Sequence, residues 1–213
     1  MTERYFGTAR LEILPHLPQR VGRMLDVGCG TGATVAAVKA LHQVAWAGGV
    51  EIVAEEAVRA REVCDQVWTA NIENERLEAG IPAGSLDLIL CLDVLEHLAD
   101  PWSVVDRLTP LLAPGGRLIV SVPNIRNWKF IRNLLFKGDF HYRSSGLLDR
   151  THLRFFVRPT AVALAEHGGL KARFVGGAQP WTGADMRRIL SAVTFGGLDD
   201  LMVKQWLVVA EPK

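Results

Sequence analysis

A glycine-rich segment near the start of the chain offers the clearest chemistry. In the stretch 26–32, DVGCGTG, alternate glycines let the backbone turn tightly and approach a ligand without interference from Cβ atoms. Gly28, Gly30 and Ala33 also satisfy G-x-G-x-x-G/A, the fingerprint of loops that hold the pyrophosphate of a dinucleotide at a helix N-terminus. The segment predicts a seat for a nucleotide-like cofactor, and this match alone leaves the cofactor's identity open.

Two carboxylates narrow the choice of ligand. Asp26 precedes the first glycine by two residues, where its charge would repel a pyrophosphate but suit a cofactor with cationic ammonium and sulfonium groups. Glu51 ends a second predicted strand, where a carboxylate can accept hydrogen bonds from both hydroxyls of a ribose. Glu51 fits NAD equally well. The segment 92–97, LDVLEH, follows another predicted strand at the crevice beyond the carboxyl ends of the sheet, and it favours the cationic ligand.

These residues need a scaffold of alternating strands and helices. Short apolar runs alternate with segments of helical period, a pattern typical of a doubly wound α/β fold with a mainly parallel sheet. Strands are predicted at 21–27, 44–50, 66–69, 86–92, 117–122, 170–175 and 205–210. Helices are predicted from the glycine loop to about Leu41, over 52–64, from the Asp-Pro pair at 100–101 to PGG at 114–116, and from 159 to GG at 168–169.

Length and composition are those of a single globular domain. The chain has 213 residues, of which 49% are hydrophobic and 22% charged, and its formal net charge of +1 gives no overall attraction to nucleic acid or to an anionic membrane. No apolar run is long enough to cross a bilayer, and the start lacks a signal peptide's pattern. The three cysteines are far apart and form no Cys-x-x-Cys motif, which predicts reduced, packed thiols. We therefore expect a cytoplasmic protein.

The charge is distributed unevenly along the chain. Residues 1–123 hold ten basic and sixteen acidic side chains, whereas residues 124–158 hold eight basic and two acidic ones, interleaved with aromatics. We interpret the chain as one domain, 1–213, in which 124–158 is a basic, aromatic insert on the substrate side. Because the rest of the domain is acidic and no RNA-binding module is recognisable, we do not expect a nucleic-acid partner.

Five motifs in order make the chain resemble the class I S-adenosylmethionine-dependent methyltransferases. They are VGRMLDVGCGTG at the first strand, GGVEI at the second, ANIEN after the third, SLDLILCLDVLEH at the fourth and LAPGGRLIVSVPN at the fifth. The resemblance implies a Rossmann-like, seven-stranded sheet whose last strand is antiparallel. Within the family, the sequence resembles the small-molecule O-methyltransferases that act on sugars or quinone precursors.

The resemblance also implies which residues bind the cofactor. The methionine end would lie near Asp26, Gly28 and Gly30, the ribose on Glu51, and the base between Asn71, Ile72 and Cys91. The full implied set is Tyr5, Arg10, Asp26, Gly28, Cys29, Gly30, Glu51, Ile52, Asn71, Ile72, Cys91, Leu92 and Asp93. Asn71 replaces an aspartate that is common in the family, but both side chains can accept a hydrogen bond through an oxygen. Tyr5 and Arg10 match a looser N-terminal element, and packing of a helix on the sheet explains them equally well.

Two histidines are candidates for the chemistry. His152 lies in GLLDRTHLRFF, 146–156, which resembles a recurring segment of small-molecule and sugar methyltransferases, and we predict it as a general base oriented by Asp149. Arg150 or Arg154 would then meet an anionic acceptor group. A purely structural network tying the insert to the sheet is the alternative.

The second histidine, His97, belongs to a possible metal site. In some quinone-pathway relatives an acidic–acidic–His cluster resembles a divalent-metal site, and its members here would be Asp93, Glu96 and His97. Neighbouring residues on one helical turn rarely chelate one ion. We therefore favour the interpretation that Glu96 and His97 cap a turn and line the pocket, and no metal is predicted.

The insert contains a predicted amphipathic helix. Trp128, Ile131, Leu134 and Leu135 recur at helical spacing. The stripe fits a lid over the active site, a peripheral membrane contact that reaches a lipid-linked acceptor, or ordinary packing at the sheet edge.

The function expected from all these features is transfer of a methyl group from S-adenosylmethionine to a small-molecule acceptor, with S-adenosylhomocysteine as product. A hydroxyl oxygen is the expected acceptor atom. An NAD-dependent oxidoreductase and a non-catalytic protein that binds the cofactor or a partner are the alternatives. The oligomeric state does not follow from the residues.

Overall fold

The predicted alternation of strands and helices is present in the computed structural model, which describes residues 7–178 and 198–213. One sheet contains seven strands in the spatial order β3-β2-β1-β4-β5-β7-β6. The strands are β1 Arg23–Val27, β2 Trp46–Glu51, β3 Gln66–Thr69, β4 Leu86–Leu92, β5 Leu112–Pro123, β6 Leu170–Gly177 and β7 Gln205–Pro212.

Strand directions follow the expected pattern. β1 pairs in parallel with β2 and with β4, β2 pairs in parallel with β3, and β4 with β5. β7 runs antiparallel to both of its neighbours, β5 and β6. This confirms the doubly wound α/β fold with an antiparallel last strand. Because the chain leaves β1 towards β2 on one side and returns to β4 on the other, the topological switch point lies between β1 and β4.

Five α-helices accompany the sheet in the described part of the chain. They are α1 Ala33–Leu41, α2 Ala54–Ala60, α3 Pro101–Leu108, α4 Trp128–Lys137 and α5 Arg158–Ala165. Asp100 caps α3 as predicted, because its Oδ1 accepts a hydrogen bond of 3.1 Å from the Ser103 N–H. None of the described helices has the length and apolar character of a membrane span.

The end of α3 differs from the sequence prediction. The helix ends at Leu108, a short 3-10 turn follows at Thr109–Leu111, and β5 begins at Leu112. Pro110 has no N–H to continue the helical hydrogen bonds, so the helix stops before the PGG segment, which instead lies in β5. The predicted helix over 52–64 is likewise shorter, as α2.

The core occupies both faces of the sheet. On β4, Leu88 and Leu90 pack into a cluster with Val35 and Val38 of α1, whereas Ile89 belongs to a cluster that includes α3. All residues of β4 except Asp87 are buried, which confirms the prediction of a strand covered on both sides. The rigid centre of the sheet therefore carries the loops at its carboxyl end.

The insert departs from and returns to the sheet at one place. Asn124, fully buried, forms an isolated bridge with Phe156, and its Nδ2 donates to the carbonyls of Asp200 and Val203 at 2.8 Å. The predicted amphipathic helix is present as α4. However, Phe130 is its buried side chain, while Leu135 of the predicted stripe is 71% exposed. Packing of the whole stripe against the sheet is therefore wrong.

Candidate functional site

A cavity of about 630 Å³ opens at the carboxyl ends of β1, β2 and β4, at the switch point of the sheet. Most of the predicted cofactor residues line it, namely Arg10, Asp26, Gly28, Cys29, Gly30, Glu51, Ile52, Asn71, Ile72, Leu92 and Asp93. Cys91 does not line it, because its side chain is fully buried in the core beside Ile89. Tyr5 lies outside the described residues.

The glycine loop has the backbone that its sequence requires. Gly28, Gly30 and Gly32 have φ values of +76°, +53° and +80°, which side-chain-bearing residues rarely adopt. A Cβ atom on Gly28 would lie 2.2 Å from Cγ2 of Val94. Backbone conformation and close packing therefore both demand glycine at position 28.

Glu51 fixes this loop from the neighbouring strand. The side chain is only 4% exposed; Oε2 accepts a hydrogen bond of 2.9 Å from the Gly30 N–H, and Oε1 accepts one of 2.8 Å from the Val53 N–H. Each carboxylate oxygen has a further lone pair available. Glu51 is thus a preorganised acceptor for two ligand hydroxyls.

Asp26 lies deeper in the same cavity. Burial, and then repulsion from Glu51, raises the pKa of Asp26 to about 7 against an opposing effect of Arg10. A cation brought into the cavity would favour the ionised carboxylate. The site therefore prefers a positively charged group beside Asp26.

Asp93 occupies the rim beyond β4. Its φ of +59° is left-handed, and its N–H donates to the Ser121 carbonyl at 3.1 Å. The carboxylate accepts hydrogen bonds from Arg10 Nη1 and from Gln205 Nε2. Burial raises the pKa of Asp93 although Arg10 opposes the shift. Arg10 and Gln205 thus hold Asp93 at the edge of the cofactor cavity.

A second cavity, of about 590 Å³, adjoins the first and is called the acceptor cavity here. Asp93, His97 and Gln205 line both cavities. The remaining wall comes mainly from the insert and its flanks, and comprises Glu96, Pro123, Asn127, Lys129, Ser144, Ser145, Gly146, Leu147, Asp149, His152 and Lys204.

The predicted pair His152 and Asp149 lines this cavity, but the two side chains are not hydrogen-bonded to each other. Nδ1 of His152 lies 3.0 Å from the Leu147 carbonyl. Asp149 Oδ1 instead accepts from the Thr151 N–H and hydroxyl, at 2.9 and 2.7 Å. The Thr151 hydroxyl in turn lies 3.0 Å from Nδ1 of His97. Asp149 therefore supports His97 through Thr151, because the turn at 149–152 directs the Asp149 carboxylate towards Thr151 and away from His152.

The two arginines predicted to meet the acceptor do not line the acceptor cavity. Arg154 donates to the Ala99 carbonyl, with its Nε at 3.1 Å, and its guanidinium lies over the Trp102 ring at 5.6 Å. Neither it nor Arg150 lines the acceptor cavity, whereas Lys129 and Lys204 do. The cationic side of the cavity comes from the start of α4 and the residue before β7.

Glu96, His97 and His152 form a group of potential metal ligands. Each offers one ligand atom, and these atoms lie within 4.8 Å of one another. Burial, and then repulsion from Asp93, raises the pKa of Glu96 well above its usual value. Burial and His152 lower the pKa of His97. The grouping differs from the Asp93, Glu96 and His97 set considered from the sequence, because Asp93 is engaged by Arg10 and Gln205.

Sequence reasoning missed Gln205, Lys204 and Thr151. Gln205 is the polar first residue of the apolar strand QWLVVA. Because this strand is antiparallel, its first residue lies at the edge of the sheet that carries the cavity, and a polar residue in that position was the available sequence signal. Thr151 lay within the segment singled out for His152. No pattern in the sequence pointed to Lys204 as a site residue.

Comparison with known proteins identifies the family of this chain. Residues 1–173 match the family model described as a methyltransferase domain. The ubiquinone biosynthesis O-methyltransferase of Xylella fastidiosa is 32% identical, over 79% of this chain and 70% of that protein. The corresponding protein of Xanthomonas axonopodis pv. citri is 29% identical, over 75% and 67%. A solved SAM-dependent methyltransferase from Archaeoglobus fulgidus superposes with a TM-score of 0.66 at 16% identity, covering 98% of this chain and 97% of that one.

The residues of the first cavity fit the cofactor that such enzymes use. Its volume is within the range of small-molecule sites, and among the described residues Asp26, Glu51, Glu73 and Asp93 line it together with one cation, Arg10. This acidic wall suits an ammonium, a sulfonium and ribose hydroxyls, whereas a pyrophosphate would be repelled. Nothing in these matches supports an NAD-dependent oxidoreductase. The chain belongs to the methyltransferase-domain family, as a methyltransferase whose cofactor is S-adenosylmethionine.

Proposed function

We propose that the protein methylates a hydroxyl oxygen of a small acceptor bound in the acceptor cavity. The observation that carries the proposal is the junction of the two cavities, where Asp93, His97 and Gln205 belong to both walls. A methyl group presented from the cofactor cavity would meet the acceptor atom at this junction.

The chain's contribution is mainly alignment. When bound, S-adenosylmethionine supplies a sulfonium methyl group, whose C–S bond breaks with its electron pair passing to sulfur while the new C–O bond forms. Glu51 and Asp26 provide acceptor groups for the cofactor at one end of its cavity. Asp93, held by Arg10 and Gln205, forms the wall at the other end. Holding two reactants about 3–3.5 Å apart in line can contribute roughly 7–11 kcal/mol to lowering the barrier.

The hydroxyl proton must leave during transfer, and we assign its activation to the imidazoles of the acceptor cavity. His152, predicted as the base, lines the cavity next to His97, with ring centroids 4.7 Å apart. Thr151 and Asp149 support His97. Replacing His152 with Ala should lower methyl transfer by two or more orders of magnitude and leave affinity for S-adenosylhomocysteine unchanged.

The cavity wall supports a proposal for the class of acceptor. The acceptor cavity is lined by the carboxylates Asp93, Glu96 and Asp149 and also by Lys129 and Lys204, and the two lysines can pair with an anionic group of a hydroxyl-bearing acceptor. Sugar derivatives and quinone precursors fit this description, and the relatives named above are ubiquinone biosynthesis O-methyltransferases. Exposed apolar side chains lie on α4, the helix whose Lys129 lines the acceptor cavity, and they favour an acceptor that is lipid-linked and reached by peripheral contact with a membrane. A cytoplasmic location is consistent with free thiols at Cys29, Cys64 and Cys91.

Two measurements test the proposal. Thermal denaturation with S-adenosylhomocysteine or NAD should show stabilisation by the first compound alone. Incubation of the protein with labelled S-adenosylmethionine and a metabolite extract should then give labelled, alkali-stable ether products. Label on nitrogen or carbon would overturn the choice of a hydroxyl acceptor, and cofactor binding without any transfer would favour a non-catalytic binding protein.

A further inference from the structure

Two of the three cysteines meet beside β2, although they come from different segments of the chain. Cys29 lies in the glycine loop after β1, and Cys64 lies in the connection between α2 and β3. A Cβ atom on Gly49 of β2 would lie 2.6 Å from Sγ of Cys29 and 3.4 Å from Sγ of Cys64. The missing side chain of Gly49 therefore leaves the space in which the two sulfur atoms come together.

Contact between the two sulfurs makes the thiols differ in acidity. Their hydrogen bond lowers the pKa of Cys64 and raises that of Cys29. Lys39, whose Nζ donates to the carbonyl of the residue before Cys64 at 2.6 Å, also lowers the pKa of Cys64, against burial and the carboxylates of Asp26 and Asp65. Cys64 is therefore the sulfur that carries the negative charge when the pair loses a proton.

The cofactor cavity gives small molecules access to this pair. Cys29 lines the cavity, whereas Cys64 is buried in the same apolar cluster as Cys29 and lines neither cavity. Cys91, the third thiol, is fully buried and also lines neither cavity. A molecule as small as hydrogen peroxide can enter a cavity of about 630 Å³, and a bound cofactor would occupy that space. Access to the sulfur pair is therefore greatest when the cofactor is absent.

We propose that Cys29 and Cys64 form a site of reversible oxidation, where hydrogen peroxide joins the two sulfurs in a disulfide while the cofactor is absent. The Cys64 thiolate attacks one peroxide oxygen; an S–O bond forms, the O–O bond breaks, and the leaving hydroxide takes up the proton that Cys64 had released. The Cys29 sulfur then attacks the sulfur of this sulfenic acid; the S–S bond forms, the S–O bond breaks, and the Cys29 proton leaves in a second water. Two thiols are thereby oxidised and one peroxide is reduced to two waters.

The disulfide changes the loop that holds the cofactor. An S–S bond is about 2.05 Å long, so the two sulfurs must move together from non-bonded contact. Cys29 lies between Gly28 and Gly30, which both line the cavity in left-handed conformations, and the Gly30 N–H binds Glu51 at 2.9 Å. Drawing Cys29 towards Cys64 displaces these neighbours from a preorganised site, so affinity for the cofactor should fall by at least about tenfold.

Treatment of the purified, reduced protein with hydrogen peroxide tests the site. Peptide mapping without reductant should find the Cys29 and Cys64 peptides linked, and a dithiol reductant should separate them again. Saturating S-adenosylhomocysteine should prevent the link, because it fills the cavity through which peroxide enters. Cys91→Ala is the matched control, since it removes the third buried thiol and should leave formation of the disulfide unchanged.

Single variants separate the parts of the two sulfurs. Cys29→Ser keeps a hydroxyl beside Cys64, so peroxide should leave a sulfenic acid on Cys64 that dimedone traps. Cys64→Ser removes the more acidic thiol, and dimedone should then give no adduct on Cys29. Mapping of the wild type with and without S-adenosylhomocysteine needs neither variant, so it decides the question even where a serine destabilises the fold. Adducts on Cys29 alone would overturn the assignment of Cys64 as the first nucleophile.

Isothermal titration with S-adenosylhomocysteine measures the consequence of oxidation. The oxidised protein should bind this ligand at least about tenfold more weakly than the reduced protein, and reduction should restore the affinity. A disulfide that includes Cys91, oxidation at the same rate with and without the ligand, or equal affinity of the two forms would each overturn the proposal. None of these measurements uses an acceptor, so a failure of the proposed hydroxyl methylation would leave the oxidation site standing.

Discussion

Asp26 makes binding of the cofactor depend on pH. Its pKa of about 7, raised by burial and by Glu51, means that the ligand-free protein holds a proton there below neutrality. A cationic ligand must displace that proton, so affinity should rise from about pH 5.5 to about pH 7.5, by at most about tenfold per unit, and level off above. Titration with S-adenosylhomocysteine, which keeps the ammonium group, measures this.

Asp26→Asn provides the control for that pH dependence. The variant should bind more weakly but with a flat profile over the same range. The ligand-free wild type should also lose stability as pH rises from the unfolded carboxyl value of 3.8 through about 7, because the folded state holds the proton more tightly than the unfolded one. A wild-type and variant difference that does not change with pH would contradict the assignment.

Glu51 should govern affinity for the cofactor. Glu51→Gln exchanges one acceptor oxygen for a donor next to the Gly30 or Val53 N–H, and we expect a loss of about 10- to 100-fold in affinity for S-adenosylhomocysteine, or about 1.5–3 kcal/mol. Glu55→Gln changes an exposed carboxylate on the adjoining helix α2 and should have no effect. Similar losses in both variants would indicate a general charge effect.

Single residues were predictable where the backbone dictates their place. Asp26 is the next-to-last residue of β1 and Glu51 the last residue of β2, and the two strands are parallel, so both side chains had to lie at one edge of the sheet. Cys91 was misplaced because side chains alternate along a strand, and its neighbour Leu92 takes the cavity side instead. The link from Asp149 to Thr151 depends on a loop path that no periodicity encodes.

At the scale of elements, the loop between β1 and α1 should be intolerant of a side chain. Gly28→Ala combines a left-handed φ with a Cβ only 2.2 Å from Val94, so we expect a loss of about 2–3 kcal/mol of stability and at least about tenfold of cofactor affinity. Gly84→Ala has a φ of +66° but open space, and should cost only about 1 kcal/mol, with unchanged affinity. Chemical denaturation and calorimetry compare the two.

Helix α4 should show two contrasting phenylalanines. Phe130 is 9% exposed and meets Phe140 at 5.6 Å between ring centroids, whereas Phe136 is 73% exposed. Phe130→Ala should lower the free energy of unfolding by about 3 kcal/mol, while Phe136→Ala should change it by less than about 0.5 kcal/mol. Urea denaturation measures both, and equal effects would mean that α4 buries another face.

Element types were more predictable than their ends. The strand periodicity places β4 and β7 well, since apolar runs of that length have few alternatives. The predicted end of α3 was wrong, because Pro110 ends the helix before the chain reaches the PGG segment from which the end was predicted. The packing of the apolar stripe of α4 could not be predicted, because a helical period of apolar residues identifies an apolar face but does not show what covers it.

For the whole molecule, β7 should be indispensable. It lies between β5 and β6, buries Trp206 and Ala210, and brings Gln205 to Asp93. Deleting residues 205–213 should therefore abolish cooperative unfolding and cofactor binding, as judged by near-ultraviolet circular dichroism and calorimetry. Removing Lys213 alone, an exposed residue beyond the strand, should change neither. A folded, ligand-binding truncation would contradict the sheet order.

The strand order also bears on how the protein is made. β6 hydrogen-bonds within the sheet to β7 and to no other described strand, so it has nowhere to dock while β7 is still inside the ribosome. During translation the edge of β5 therefore stays unpaired and can pair with other chains until β7 emerges, so that a chaperone would have to shield it. Gln205 takes its place in the same late step, so that the protein can bind the methyl donor only after the sheet is complete.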